Sequence, residues 1–188
     1  MDIDPTDAVV GISIDFNTAY RNLTKTVLKR GRRKIAVVSG FYQDCQTRGW
    51  PLQKFPAVFD VLRRNKLKAV SPQPSGVFSS GEELADWLRK HPGSIDAVFC
   101  ENDLVASQVV GELAPLKLTT PNDILVIGCD GNSKIRGTWT LKIETTEIAL
   151  LATTTLQKLL DGERVSESPV YAPVLLDEFN KPLKHTAV

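Results

Sequence analysis

A chain of 188 residues, 42% hydrophobic and 24% charged, has the make-up of an ordinary globular protein with room for one substantial domain or two small lobes. A formal net charge of +1 supplies no whole-chain field for nucleic acid, and no run approaches the eighteen or so apolar residues of a membrane span. Three cysteines without C-x-x-C spacing and two isolated histidines exclude a disulfide framework and a zinc ribbon, so no metal and no cofactor is expected.

The N-terminal MDIDPTDAVV lacks the charged-then-apolar order of a signal peptide, and a cytoplasmic protein is the expectation. VVGISID (Val9 to Asp15) is a strand candidate. TAYRNLTKTVLKRG follows as a helix, with Ala19, Leu23, Val27 and Leu28 near a 3.6 period and Gly31 as its stop. The basic run Lys29 to Lys34 suits the negative end of that helix better than a phosphate-tracking face. KIAVVSG is a continuous apolar strand of the kind buried on both faces of a parallel sheet.

FYQDCQTRGWPLQ reads as a loop and FPAVFDVLRRNKL as a helix with Pro56 in its first turn. A short strand and a turn-rich stretch occupy KAVSPQPSGVFSS, and GEELADWLRKHPG is an amphipathic helix stopped by Pro92 and Gly93. SIDAVFC is a strand, LVASQVVGELAPL a helix, and ILVIGC a very apolar strand. WTLKIE, IALLATTTLQKLLDG and VYAPVLLDEF complete the chain as strand, helix and extended segment. Strands and helices in alternation with short joints predict an α/β fold with a doubly wound, mostly parallel sheet. Ligands in such sheets sit beyond the carboxyl ends of the strands, where Asp15, Ser39, Gly40, Asn102, Asp103 and Asp130 fall.

Each of these has a structural reading beside a binding one. Of Asn102 and Asp103, one suffices as a helix N-cap and the other is free to project toward a ligand. Asp130 is either a turn former with Gly131 and Asn132 or an acceptor for ligand hydroxyls. Lys54 precedes a helix start, where a cation is disfavoured by the dipole unless it reaches into a cleft. Phe78, in SGVFSSG, either fills a core edge or stacks on a ligand. Nucleophile-elbow and phosphate-loop motifs are missing, and an enzyme is not expected.

IDAVFCENDLVASQVVGEL followed by LTTPNDILVIGCDGN resembles the effector-binding core of the lactose-repressor/galactose-repressor family of bacterial transcription regulators. ISIDFNTAYRNLTKTVLKRGRRKIAVVSG, WTLKIETTEIALLATTTLQKLLDGE and YAPVLLDEF are similar to further blocks of that family, in order, from about Gly11 to Phe179. The resemblance implies a periplasmic-binding-protein-like type I fold in which two α/β lobes clasp a ligand. The family's helix-turn-helix and the first half of its N-terminal lobe have no counterpart here. The expected division is residues 1–32 as a remnant strand and helix of the N-terminal lobe and 33–131 as the C-terminal effector-binding lobe. Residues 132–168 are then the crossing strand and helix of the N-terminal lobe, and 169–188 the return strand and tail.

On this resemblance Asn102 and Asp130 hydrogen-bond the effector and Asp103 starts the helix. Lys54 stands where the family usually carries a ligand-binding Arg, without that residue's planar fork. Phe78 falls near a family aromatic, Asp15 ends the first strand, and Thr145 or Thr146 is the polar contact after the crossing strand. The implied partners are a small-molecule effector, in all expectation a sugar or derivative, a second subunit, and DNA through a head outside the chain; no membrane is involved. The alternatives are a sugar-transport receptor of the same fold and a degenerate, non-binding assembly domain.

Overall fold

The structure, a computed structural model, describes residues 10–40, 54–132, 135–165 and 168–183. The expected loop Phe41 to Gln53 lies outside the described residues. In chain order the elements are β1 (Ser13–Ile14), α1 (Phe16–Lys29), β2 (Ile35–Val38), α2 (Lys54–Arg64), α3 (Gly81–Lys90), β3 (Ala97–Cys100), α4 (Asp103–Leu113), β4 (Leu125–Asp130), β5 (Trp139–Lys142), α5 (Thr145–Leu160), β6 (Val170–Tyr171) and β7 (Val174–Leu176). Among the described residues no helix is long and apolar enough to cross a membrane.

Five strands form one sheet in the order β2-β3-β4-β5-β7, parallel throughout except for β7, which runs antiparallel to β5. Every residue of β2 and β3 is buried, because helices cover both faces. Alternate side chains go to opposite sides, as the two-residue strand period requires. Ile35, Val37, Phe99 and Ile127 meet Tyr20, Leu23 and Val27 of α1 and Phe55, Val58 and Leu62 of α2. Ala36, Val38, Val98 and Val126 meet Leu84 and Leu88 of α3 and Ala106, Val109 and Leu113 of α4. The doubly wound α/β architecture is therefore present, and the carboxyl ends of the four parallel strands β2, β3, β4 and β5 share one edge of the sheet.

The basic run after α1 is absorbed by this body. The Arg32 guanidinium donates to the backbone carbonyls of Pro121, Asn122 and Asp123 at 2.6, 2.9 and 3.0 Å. Lys34 Nζ donates to the Gly93 carbonyl at 2.7 Å, and the Arg30 guanidinium lies 5.1 Å over the Trp139 ring. These contacts spend three of the five cations on loop closure rather than on a phosphate-tracking face.

The division expected from the sequence shifts at two places. Helix α1 packs with the five-stranded sheet, since its buried face of Tyr20, Leu23 and Val27 belongs to that core. Strand β5 likewise pairs with β4 in that sheet, with Trp139, Thr140 and Leu141 buried. Only β1 and β6 pair apart from it, as a two-stranded parallel sheet joining Ser13 to Val170 and Ile14 to Tyr171. The chain passes out of the main sheet after residue 143 rather than at 132, because the hydrogen-bonded register of β5 continues that of β4.

An ionic clamp ties α1 to α2. Asp60 accepts from Arg21 across the helix pair, from Arg63 at 2.6 Å and from Arg64 at 2.9 Å. The Arg21 guanidinium first, then Arg63, holds the Asp60 carboxyl down at about 2. A free Asp titrates near ~3.9, so the folded form binds its proton more weakly than the unfolded one. The stabilisation is complete above about pH 4 and is lost as pH falls through about 2. Urea titrations of the parent chain and Asp60→Asn should differ by a constant amount above about pH 5 and converge near pH 2.

Candidate functional site

At the carboxyl edge of the sheet Ser39 follows β2, Glu101 and Asn102 follow β3, and β4 and β5 end at Asp130 and Lys142. The Ser39 hydroxyl donates to Glu101 Oε2 at 2.7 Å, joining the ends of β2 and β3. Lys54, at the start of α2, sends Nζ to the Glu101 carbonyl at 3.0 Å. The same ammonium lies 4.9 Å over the ring of Phe16, the first residue of α1. A cation at a helix N-terminus thus stands against a carbonyl and a ring face, which offsets the unfavourable dipole.

Of the two polar residues after β3, Asn102 takes the capping task expected of Asp103, and Asp103 turns into the protein. Asn102 is the N-cap of α4: its backbone is extended and its carboxamide oxygen accepts from the Val105 N–H at 2.9 Å. Its amide N–H groups and the second lone pair of its oxygen can still serve a ligand. Asp103, in the first turn, is 4% exposed and turns into the protein. It accepts from Thr140 Oγ1 at 2.8 Å and from the Asn132 N–H at 2.6 Å, bridging α4 to β5 and to the turn after β4. Thr140 in turn accepts from the Gly131 N–H at 3.2 Å. The carboxylate fits because position 128 is glycine: a Cβ there would lie 2.1 Å from Asp103 Oδ1. That glycine, alone inside the most apolar strand, was the sequence signal of a close approach.

This network holds the turn that carries Asp130. Asp130 sits at φ +105°, a conformation costly for any residue with a Cβ, and Gly131 follows at φ +78°. Its carbonyl accepts from the Ile143 N–H at 3.3 Å, and its side chain is half-buried at the strand end. Strain of this kind persists only where the surroundings over-determine it, and it gathers at binding sites.

Of the remaining candidates, Asp15 is the N-cap of α1, accepting from the Thr18 N–H at 2.9 Å, and is half-buried. Thr145 and Thr146 open α5 and are exposed. Phe78 does not belong to the site. It is fully buried, its backbone bridges to β2 through Phe78 N–H to Val37 O at 2.8 Å, and its ring packs edge-on to Trp87 at 6.3 Å. Pairing with β2 turns its side chain into the core under α3, and the ring beside Lys54 is that of Phe16 instead. Phe16 follows Asp15 where strand passes into helix, a position that the sequence reading left out.

Beneath the edge lie groups unsuited to chemistry. Burial pushes the Cys129 thiol up to about 11 and the Cys100 thiol higher, the latter helped by the Asp103 carboxylate. The two thiols also face opposite sides of the sheet, Cys129 toward α1 and α2 and Cys100 toward α3 and α4. Burial raises the Tyr20 phenol well above its usual range, with Cys129 adding to the effect. Neutral thiols and a neutral phenol make poor nucleophiles. Among the described residues no group of three His, Cys, Asp or Glu side chains is placed to hold a metal. The edge presents acceptors at Asp130 and Glu101 and donors at Lys54 and Asn102, a set matched to a hydroxyl-rich molecule.

The model of the periplasmic binding protein-like domain matches residues 24–177. The HTH-type transcriptional regulator GntR of Escherichia coli K12 is 26% identical over 126 residues, 65% of this chain and 36% of that protein. Catabolite control protein A of Priestia megaterium is 22% identical over 175 residues, 91% of this chain and 53% of its own length. The chain thus spans about half or less of the curated relatives it matches. A LacI family transcriptional regulator from Arthrobacter sp. FB24, solved in complex with lactose, superposes with a TM-score of 0.71 at 22% identity, covering 96% of this chain and 68% of that one. With a family match across residues 24–177, most of its length, the chain belongs to the periplasmic binding protein-like domain family.

Proposed function

We propose that this chain is the effector-sensing portion of a cytoplasmic transcription regulator of the lactose-repressor/galactose-repressor family. The observation that carries the reading is Asp130, held at a costly φ of +105° at the carboxyl end of β4, beside the strand β3 whose end carries Asn102. Regulators among the curated relatives, and a fold neighbour solved with lactose, support an uncharged polyol such as a sugar as the effector. They also favour regulation over transport and over catalysis. Asp130 accepts from ligand hydroxyls, the Asn102 amide and the Lys54 ammonium donate, and Phe16 presents a ring face beside Lys54. Asp15 and Thr146, from the segments that leave and re-enter the main sheet, close the site from the other side.

In the full-length regulator the effector favours one relative arrangement of two lobes, and a dimer of DNA-binding heads outside this chain reads the difference. Such coupling is worth about 1–3 kcal/mol.

A panel of mono- and disaccharides in thermal-shift assays on the full-length protein tests the reading. A ligand at ~100 times its dissociation constant adds about 2.7 kcal/mol to stability, a rise of several degrees in melting temperature. Asp130→Gly relieves the backbone strain, so the ligand-free melting temperature is expected to hold or rise. The same change removes a charged acceptor worth about 1.5–3 kcal/mol and weakens binding roughly 10- to 100-fold. An unchanged response in Asp130→Gly, or no response to any sugar, overturns the assignment.

A further inference from the structure

A pocket of about 620 Å³ opens beside the end of α2. Val70, in the segment that follows the helix, donates its N–H at 2.7 Å to the carbonyl of Ile35, the first residue of β2. The pocket therefore stands at the amino edge of the sheet, opposite the edge that carries Asp130. Its floor is apolar: Leu62 is buried, and Phe59, Leu67 and Ala69 are half-buried against the core. The turn from Ser71 to Gly76 forms the far wall and is braced from within. Gln73 donates its N–H to Ser71 Oγ at 3.0 Å and its side-chain amide to Glu83 Oε1 at 2.9 Å. The Gly76 N–H closes on the Gln73 carbonyl at 3.0 Å, and Pro72 and Pro74 fix their own φ angles. Walls held in this way leave a cleft formed before any ligand arrives, within the ~300–1,000 Å³ usual for small molecules.

The rim is cationic. Among the described residues no Asp or Glu lines the pocket, whereas Arg63, Lys66 and Lys68 do, all of them exposed. Arg63 donates to Asp60, but the ammonium groups of Lys66 and Lys68 have no ion pair or hydrogen bond among the described residues. Four cations stand in the six residues from Arg63 to Lys68. Asp60 and the roughly half charge of the helix end do not balance them. Lys66 ends α2 at φ +59°, with its N–H on the Arg63 carbonyl at 3.0 Å and the Leu67 N–H on the Leu62 carbonyl at 2.9 Å. Glycine is the usual residue at such a helix stop, and a lysine there carries a backbone cost. That cost brings an ammonium to the rim of the pocket.

We propose that this pocket binds a small anionic amphiphile, a flat apolar body that carries a carboxylate or a phosphate. The body covers Phe59 and Leu62, and the anion meets Lys66 and Lys68. Two exposed ammonium groups contribute modestly and salt screens them, so the body supplies most of the affinity and the anion the selection. The two edges of the sheet take different chemistry, because an apolar floor satisfies few of a sugar's hydroxyls.

The test is calorimetric titration of the 188-residue chain with 1-naphthoate and 1-naphthyl phosphate, and with 1-naphthylmethanol as the uncharged control. At least one anion is expected to bind one to one with a dissociation constant of about 0.1–1 mM, and the control about fivefold more weakly. The tighter of the two anions names the group, carboxylate or phosphate. In nitrogen-15-labelled chain the amide resonances that move are expected to lie between residues 59 and 76. Lys66→Gly combined with Lys68→Gln is expected to weaken the anion about fivefold. The melting temperature of that variant holds or rises, because glycine suits the helix stop. Absence of binding by either anion at about 5 mM overturns the proposal. So does equal affinity for the control, an affinity unchanged in the double variant, or a response confined to the carboxyl edge.

Discussion

Asp103→Ala is expected to lower folding stability by roughly 3–5 kcal/mol, the sum of two hydrogen bonds to a buried charge. The carboxylate accepts from Thr140 Oγ1 and the Asn132 N–H, and its removal takes the charged acceptor from both donors, of which Thr140 is buried. Asn102→Ala, one position earlier, removes an ordinary N-cap and is expected to cost only about 1 kcal/mol. Gly128→Ala should approach the cost of Asp103→Ala, since its Cβ would sit 2.1 Å from Asp103 Oδ1 and force the carboxylate out. Urea unfolding monitored by circular dichroism separates the three. Equal costs at 102 and 103 would mean that Asp103 does not hold the turn after β4.

Phe78→Ala is expected to cost about 3–5 kcal/mol, the range for deleting a buried aromatic. Its ring is fully buried between β2 and α3 and meets Trp87 edge-on. The loss is to stability and not to recognition. An effector that raises the melting temperature of the parent protein should raise that of Phe78→Ala by a similar amount. A variant that melts normally yet no longer responds would return Phe78 to the binding site.

Much of the fold was legible because burial leaves a mark on composition. AVFC and ILVIGC are continuous apolar runs because both faces of the parallel sheet are covered, and GEELADWLRK shows its one wet face at helical spacing. Ser80 and Asp15 are N-caps, a position those residue types favour, and accept from the backbone N–H groups of Glu83 and Thr18. Division into lobes was less legible. Whether β5 continues the register of β4 or joins another sheet depends on hydrogen bonds between segments remote in the chain, and WTLK suits either.

The site shows the same boundary at finer scale. The sequence by itself determined that polar residues stand at the carboxyl ends of buried strands, since alternating strand and helix places every such joint on one edge. It also placed Asp130 at the end of an apolar strand before Gly131 and Asn132, and Lys54 just ahead of a helix. Only the tertiary structure decided between neighbours. A one-residue difference in where α4 begins makes Asn102 the cap and sends Asp103 inward to Thr140, and the space left by Gly128 decides which carboxylate can be buried. Likewise, bridging to β2 turned Phe78 into the core and left Phe16 as the ring beside Lys54. Side-chain direction at a strand end is set by packing against elements far along the chain, and local residue order carries no record of it.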